Sequence, residues 1–299
     1  LKSATVTGQA DLMVKEEREA LSAIATFLSF LPENCEELPP VHPPRPAGVE
    51  TEEGARRITD LVSDNHRRAY DMEELVRLLV DGGEVFPYRP TYGPSLITAL
   101  ARMGGESVGI IANNPMRMAG ALDEKAIQKA RKFVDTCDAF HIPLVFLVDC
   151  PGFMVGPEIE NHRIVSLASR FLNTVIGASV PKVTIVLRKA VGLAYLAMGG
   201  KVMGPDTIVA WPTAQFDVMG PAAGVELTYG KEIAKAEDPV AKRKALLTKA
   251  EEEASAYLAA EMGLIDDVIA PAETRDMILD TLARARDARI AGFKHRIDP

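Results

Sequence analysis

The pattern of apolar and polar positions changes repeatedly between two periods along this chain. Short continuous apolar runs, which are typical of buried strands, occupy residues 108–112, 144–148, 183–187 and 207–211. Between the first three runs, apolar residues recur at helical spacing, at 126–137 behind a predicted N-cap residue, Asp123, and at 164–175. Strands and helices that alternate in this way predict right-handed βαβ units and a mostly parallel sheet. The pattern therefore predicts an α/β fold.

The two ends of the chain differ from this alternating region. Apolar residues between 20 and 31 predict one amphipathic helix, and five of the eight residues from 39 to 46 are proline. So many prolines predict a stiff, extended linker. We therefore divide the chain into a lead-in helix with a proline-rich linker, residues 1–48, and a C-terminal domain, residues 49–299. Near the C-terminus, residues 238–262 and 274–290 each predict a long helix.

Composition excludes several classes of protein. The net charge of −8 gives no basic footprint for nucleic acid. The three cysteines lack pair spacing, which indicates a reducing compartment. We find neither a secretory signal nor an apolar run of membrane-spanning length. These features predict a cytoplasmic or organelle-matrix protein, with no membrane partner. The chain begins at Leu1 rather than at methionine, and we expect it to be a processed or truncated piece.

The sequence offers little for metal or triad chemistry. Cys137 and His141 stand four residues apart, but no further ligand follows at metal spacing, so we predict no metal site. No Gly-x-Ser-x-Gly nucleophile elbow occurs.

The most informative segment follows the apolar run 183–187. Residues 188–201 turn through Gly192 into a short stretch of good helix formers. A strand that turns directly into a helix leaves the first helical N–H groups without intrahelical acceptors. Such donors can hold a developing oxyanion. A second turn, 149–153, follows the apolar run 144–148, at the sheet edge where ligands of parallel sheets gather.

The run 188–201 is similar to the arginine-lysine-alanine-tyrosine-glycine-glycine-alanine-tyrosine element of biotin-dependent acyl-CoA carboxylases, in their carboxyltransferase (beta) subunit. Other segments resemble the same family in the same order: Ala112-Asn113-Asn114-Pro115, Ala119-Gly120-Ala121-Leu122-Asp123, Asp149-Cys150-Pro151-Gly152-Phe153, Ala210-Trp211-Pro212-Thr213-Ala214, Val218-Met219-Gly220 and Gly263-Leu264-Ile265-Asp266. The resemblance runs from about Tyr70 to the C-terminus, and more loosely back to Gly8. It implies a crotonase-like ββα superhelix and the C-terminal, biotin-facing half of the subunit.

The resemblance also implies a site. In the family, two backbone N–H groups hold the oxygen of the biotin ureido ring as negative charge develops there, and the matching positions are Leu193 and Ala194. The residues implied for the substrate and biotin pocket are Gly192, Tyr195, Leu196, Pro151, Gly152 and Phe153. Carbon dioxide would move from carboxybiotin to the α-carbon of a short-chain acyl-CoA, and no side-chain base would be required.

This chain departs from the family pattern at three places. Leu193 replaces the usual glycine, which adds bulk but keeps the backbone donor. Leu196 stands where several members that use propionyl-CoA have aspartate, a position beside the acyl group, so we assign no propionyl preference. Residues 156–160 match the usual glycine-threonine-glutamine-glutamate pattern only in part.

The resemblance implies partners as well. They are a biotin carboxylase or carrier subunit that brings the biotin on a separate domain, a CoA-binding N-terminal half, and further copies in a homo-oligomer. Three alternatives stay open: a biotin-dependent acyl-CoA decarboxylase subunit, a non-catalytic assembly subunit, and a biotin-independent hydratase. A hydratase would need paired glutamates, and the spacing of Glu158, Glu160 and Glu226 gives no reason to pair them.

Overall fold

The computed structural model describes residues 2–286 as a mixed α/β structure built on one sheet. Its strands, numbered in chain order, are β1 (Val85–Pro87), β2 (Leu96–Met103), β3 (Glu106–Asn113), β4 (Leu144–Cys150), β5 (Lys182–Val191), β6 (Thr207–Ala210), β7 (Gln215–Asp217) and β8 (Asp267–Val268). The strand order is β1-β2-β3-β4-β5-β6-β8, and β7 pairs with the end of β5. Strands β1 to β3 pair antiparallel, and every pairing from β3 onward is parallel.

Helices cover both faces of this sheet. They are α1 (Lys2–Thr5), α2 (Glu17–Leu28), α3 (Glu52–Leu61), α4 (Met72–Leu79), α5 (Glu124–Ala139), α6 (Pro157–Asn161), α7 (Ile164–Gly177), α8 (Gly192–Ala197), α9 (Pro221–Ile233), α10 (Pro239–Glu253), α11 (Ala256–Glu261) and α12 (Thr274–Ala285). Alternate residues of β4 enter two separate apolar clusters: Phe146 and Val148 meet α5 and α7, whereas Val145 and Leu147 meet α3, α4 and α12. This alternation is the period-two pattern of a strand buried on both faces.

The predicted βαβ units are confirmed. Helix α5 connects β3 to β4 and helix α7 connects β4 to β5, and both strand pairs are parallel. The Asp123 side chain caps α5, since its carboxylate accepts a hydrogen bond from Ala126 N–H at 2.8 Å. Because parallel strands start at one edge, β3, β4 and β5 all end at the opposite edge, and the turns that follow them meet there.

The predicted single helix over 238–262 is wrong. Helix α10 ends at Glu253, and Ser255 begins α11 by accepting a hydrogen bond from Leu258 N–H at 3.4 Å. Helix α10 has no buried residue, whereas Ala256 and Ala259 of α11 are buried against the core. The serine cap thus separates a solvated helix from a packed one. The last predicted helix, 274–290, is confirmed as far as Ala285, and residues 287–290 lie outside the described part.

The proline-rich linker is extended, as predicted, and backbone hydrogen bonds hold it near both of its ends, since Gly82 N–H also donates to Pro46 O at 3.0 Å. His42 N–H donates to Gly105 O at 2.9 Å, in the turn between β2 and β3. A Cβ on Gly105 would lie 1.9 Å from His42 O, so this contact requires glycine. The neighbouring Asp81 carboxylate accepts from the Gly104 and Gly105 N–H groups and from Arg275, which joins the same turn to α12.

The lead-in helix differs from expectation in its packing. Helix α2 forms, but none of its residues is buried, and Leu21, Ile24 and Leu28 are 55–62% exposed. Phe30 and Leu31, just after it, do enter the core. The division of the chain near residue 48 stays a prediction.

The Asp123 cap gives a first test of this fold. We expect Asp123→Ala to lower the free energy of unfolding by about 1 kcal/mol, because one N–H group of α5 loses its acceptor. Urea denaturation followed by circular dichroism measures this change. Asp64→Ala is the control, since that exposed carboxylate has no hydrogen bond within residues 2–286; an equal loss in both variants would contradict the capping role.

Candidate functional site

The turn from β5 into α8 has the geometry that its sequence predicts. Gly192 has φ +60°, and a Cβ there would lie 2.7 Å from Val218 O. Both the backbone conformation and the close approach therefore require glycine. Leu193 and Ala194 occupy the second and third positions of α8, whose N–H groups have no intrahelical acceptor. Among the described residues, we find no other acceptor for either group.

The side chains at this turn point in different directions. Leu193 is 50% exposed, whereas Ala194 is 1% exposed and enters the core. Tyr195 is also a core residue, packed edge-on against Phe216 at 5.5 Å between ring centroids, and burial raises its pKa to about 12. Leu196 is half-buried against the same apolar cluster. The leucine at 193 thus places its bulk outside, while the donors belong to the backbone.

The second predicted turn, 151–153, lies at the end of β4. Gly152 has φ +141°, and no atom lies within 4 Å of the place where its Cβ would be. Its carbonyl accepts from Leu122 N–H at 3.1 Å, and Phe153 forms a bridge with the same residue. Gly152 therefore keeps its outer side open, which would let a flat group approach the backbone.

A buried ion cluster joins the ends of β4 and β5. The Asp149 carboxylate accepts from Arg188 Nε at 3.0 Å and Nη2 at 2.8 Å, and Lys189 Nζ lies 3.3 Å from it. The side chains of Asp149 and Arg188 are 0% and 1% exposed. One carboxylate faces two cations here, which leaves about one positive charge beside the turn into α8. Asn113, at the end of β3, joins the cluster by accepting from Asp149 N–H at 3.2 Å.

Arg188 also holds a loop that precedes α4. Its Nη1 donates to the carbonyl oxygens of Asn65 and Arg68 at 3.2 and 2.8 Å, and its guanidinium lies 4.7 Å from the Tyr70 ring centroid. Between these carbonyls stands His66, whose Nε2 is 2.9 Å from Thr213 O. Burial is the main cause of the lowered pKa of His66, and the positive charge of Arg188 lowers this pKa further.

A cavity of about 320 Å³ opens beside this cluster. It is lined by His66, Arg67, Pro151, Lys189, Val191, Gln215, Asp217, Met219, Gly220, Pro221, Ala222, Ala223, Leu247 and Glu251. Of the predicted site residues only Pro151 lines it. Gly192, Leu193 and Ala194 do not line it; Gly192 directly follows the lining residue Val191, and the Val218 carbonyl that it approaches directly precedes the lining residue Met219. Tyr195, Leu196 and Phe153 pack toward the core instead.

Sequence reasoning missed His66, the ion cluster and the start of α9. Asp149 and Arg188 each come directly after a predicted buried strand, and this position was the available signal. Charged residues at the ends of neighbouring parallel strands lie close together at one edge of the sheet. Nothing in the sequence marks His66, which comes from a loop 122 positions before Arg188. Within residues 2–286 we find no cluster of His, Cys, Asp or Glu that could hold a metal. In the same part of the chain, no helix is long and apolar enough to span a membrane.

Comparison with known proteins identifies a family. The model of the carboxyl transferase domain matches residues 2–296. The chain is 40% identical over 296 residues to methylmalonyl-CoA decarboxylase subunit alpha of Propionigenium modestum, and the match covers 97% of this chain and 56% of that protein. It is 38% identical to the propionyl-CoA carboxylase beta chain of Saccharopolyspora erythraea, with 95% of this chain and 54% of the relative covered.

A solved structure of transcarboxylase 12S, described as a hexamer assembly with methylmalonyl-coenzyme A bound, superposes with a TM-score of 0.88 at 35% identity. It matches 100% of this chain and 56% of its own. The predicted α/β, crotonase-like fold is confirmed by this likeness. The chain spans about half the length of the curated relatives it matches.

The buried ion cluster provides a test at this site. We expect Arg188→Met to lower the free energy of unfolding by about 3–5 kcal/mol, because it removes the partner of a fully buried carboxylate. Chemical denaturation measures this loss. Arg57→Met is the control, since that arginine makes a bidentate but exposed pair with Glu74. Its unfolding midpoint should stay close to that of the unchanged protein; similar losses in the two variants would contradict a special role for the buried cluster.

Proposed function

The chain belongs to the carboxyl transferase domain family, and we propose that it forms the biotin-facing half of an acyl-CoA carboxyltransferase. In this proposal, a carboxyl group moves from carboxybiotin to the α-carbon of a short-chain acyl-CoA. The observation that supports it most is the pair of N–H groups of Leu193 and Ala194, which have no acceptor among the described residues.

The residues at the turn fit a group that develops negative charge on an oxygen. Biotin, when bound, supplies a ureido group that can carry a carboxyl group and release it. The Leu193 and Ala194 N–H groups would hold the ureido oxygen while its charge increases. The excess positive charge of Arg188 and Lys189 over Asp149 lies beside the same turn and favours an anion there. The open side of Gly152 leaves room for a planar ring.

The chain supplies position and charge here, and the proposal needs no side-chain base. Asp149 is held by Arg188 and Lys189 and is fully buried, so its carboxylate does not face the space outside the turn. His66 donates from Nε2 to Thr213 O, and its lowered pKa makes it a weak proton acceptor. We propose that Leu196, half-buried behind the turn, acts on the choice of acyl group only through packing.

Decarboxylation is the second candidate function. It would use the same donors in the opposite direction, and the 40% identity to a methylmalonyl-CoA decarboxylase subunit supports it. Two assays compare the directions: an acyl-CoA panel with carboxybiotin measures carboxylation, and the corresponding carboxylated acyl-CoA panel with free biotin measures transfer from the acyl-CoA to biotin.

The proposal also requires partners. Apolar side chains are exposed on the segments that border the site, namely Val155, Leu193, Val218, Met219 and Leu227. The unburied apolar face of α2 adds a second such surface. Exposed apolar patches of this kind typically mark protein interfaces. We propose that a CoA-binding half and further copies of this chain cover them, and that a biotin carboxylase or carrier subunit delivers the biotin.

The donor role of Ala194 can be tested without changing its side chain. Replacement of Ala194 by lactic acid turns its amide into an ester, which removes the N–H group and keeps the side chain. With the CoA-binding half present, carboxyl transfer should fall by about a hundredfold or more. Ala194→Pro removes the same donor by ordinary mutagenesis. Leu193→Ala is the control, because it keeps both donors, and its turnover should stay near normal; near-normal turnover of the ester would reject the role.

The need for a second half is tested separately. We expect the isolated chain to associate in light scattering, through its exposed apolar faces, and to transfer no carboxyl group to acyl-CoA. Addition of a CoA-binding half from a relative should restore transfer. A monomer that carboxylates acyl-CoA unaided would overturn this part of the proposal.

A further inference from the structure

A second cavity, of about 580 Å³, lies between the N-terminal segment and the outer sides of α5 and α7. It is lined by Thr7, Gly8, Gln9, Arg89, Tyr92, Gln128, Arg131, Lys132, Leu167 and Arg170. None of these residues lines the cavity beside α8. Its volume is within the range of about 300–1,000 Å³ that is usual for small-molecule sites.

The lining of this cavity carries only positive charge. Four of its side chains are cationic and none is a carboxylate, in a chain whose net charge is −8. By contrast, the cavity beside α8 contains Asp217 and Glu251. Lys132 and Arg170 make no ion pair or side-chain hydrogen bond within the described residues. Two cations that face the same cavity without counter-ions favour an anionic occupant.

The remaining wall of the cavity is built rigidly. Arg89 is 7% exposed, its Nε is bound to the Asp11 carboxylate at 2.5 Å, and its N–H donates to Asp11 O at 3.0 Å. Gly8 has φ +65°, and a Cβ there would lie 3.0 Å from the Tyr92 ring, so the segment lies directly on this ring. The Tyr92 hydroxyl donates to Gln128 Oε1 at 2.6 Å. The buried guanidinium therefore stands in a fixed place, while Lys132 and Arg170 are free to close on a ligand.

We infer that this cavity binds compounds that carry a diphosphate group. Guanidinium groups bind phosphate oxygens through two parallel hydrogen bonds, and a lysine adds a point charge. Lys132 on α5 and Arg170 on α7 supply the two cations without counter-ions, and Arg89, whose charge is paired with Asp11, supplies a fixed wall between them and the N-terminal segment. Both a free nucleoside diphosphate and coenzyme A contain a diphosphate group, so the chemistry that they share is the diphosphate itself.

Calorimetric titration with inorganic pyrophosphate, on the full chain at low ionic strength, tests the inference. Pyrophosphate should bind at one site, and the affinity should fall as salt is added. Lys132→Gln combined with Arg170→Gln should weaken binding by about tenfold or more, because two charge-assisted contacts are lost. Arg18→Gln combined with Lys244→Gln is the matched control, since it removes the same charges from exposed sites elsewhere.

Two further arms identify the source of the diphosphate. If ADP binds more tightly than coenzyme A, and the Lys132 and Arg170 double variant loses this binding, the result supports a nucleotide site. If coenzyme A binds more tightly, the result supports a site for the diphosphate of coenzyme A. Absence of pyrophosphate binding, or equal binding by the double variant and its control, overturns the inference. Binding is measured without carboxyl transfer, so its outcome is independent of the proposed function. A preference for an acidic peptide over pyrophosphate would also overturn it.

Discussion

The ion pair of Asp149 and Arg188 is the interaction on which the site depends. It joins the ends of two neighbouring parallel strands. The Asp149 side chain is 0% exposed and the Arg188 side chain is 1% exposed. A buried pair of this kind contributes little net stability by itself, but either charge alone is costly. The ends of β4 and β5 therefore depend on this one pair for their position. The loop that Arg188 holds through Asn65 and Arg68 depends on it as well. The turn through Gly192 follows directly from this fixed end of β5.

The central part of the fold could be predicted from sequence because it depends on local pattern. Asp123 followed by a helical apolar face gives a helix, and continuous apolar runs give the strands that become β3 to β6. Strand β2 was missed because its residues 96–103, rich in leucine and alanine, suit a helix as well as a strand. It is a strand because it pairs along its whole length with β3 through the Gly104–Gly105 turn. That pairing is a tertiary interaction, which no local pattern contains.

The site was predictable in its backbone and not in its side chains. The strand–glycine–helix order places the donors of Leu193 and Ala194, and the structure has that order. The cavity near them is completed by residues from distant parts of the chain, such as His66 and Glu251. Tyr195 and Leu196, implied for the pocket by resemblance, pack toward the core. Their assignment to the pocket, like that of the other site residues, stays a prediction.

In the proposed function the donors belong to the backbone, which would make the turn into α8 tolerant of mutation. A catalytic histidine or glutamate is lost through almost any single substitution, but among the genetically encoded residues only proline lacks an N–H group. The half-exposed side chain at position 193 can therefore vary, and with it the shape of the nearby surface, while the hydrogen-bond donors remain. Substitutions at this position, proline excepted, would change the surface around the turn and leave its donors in place.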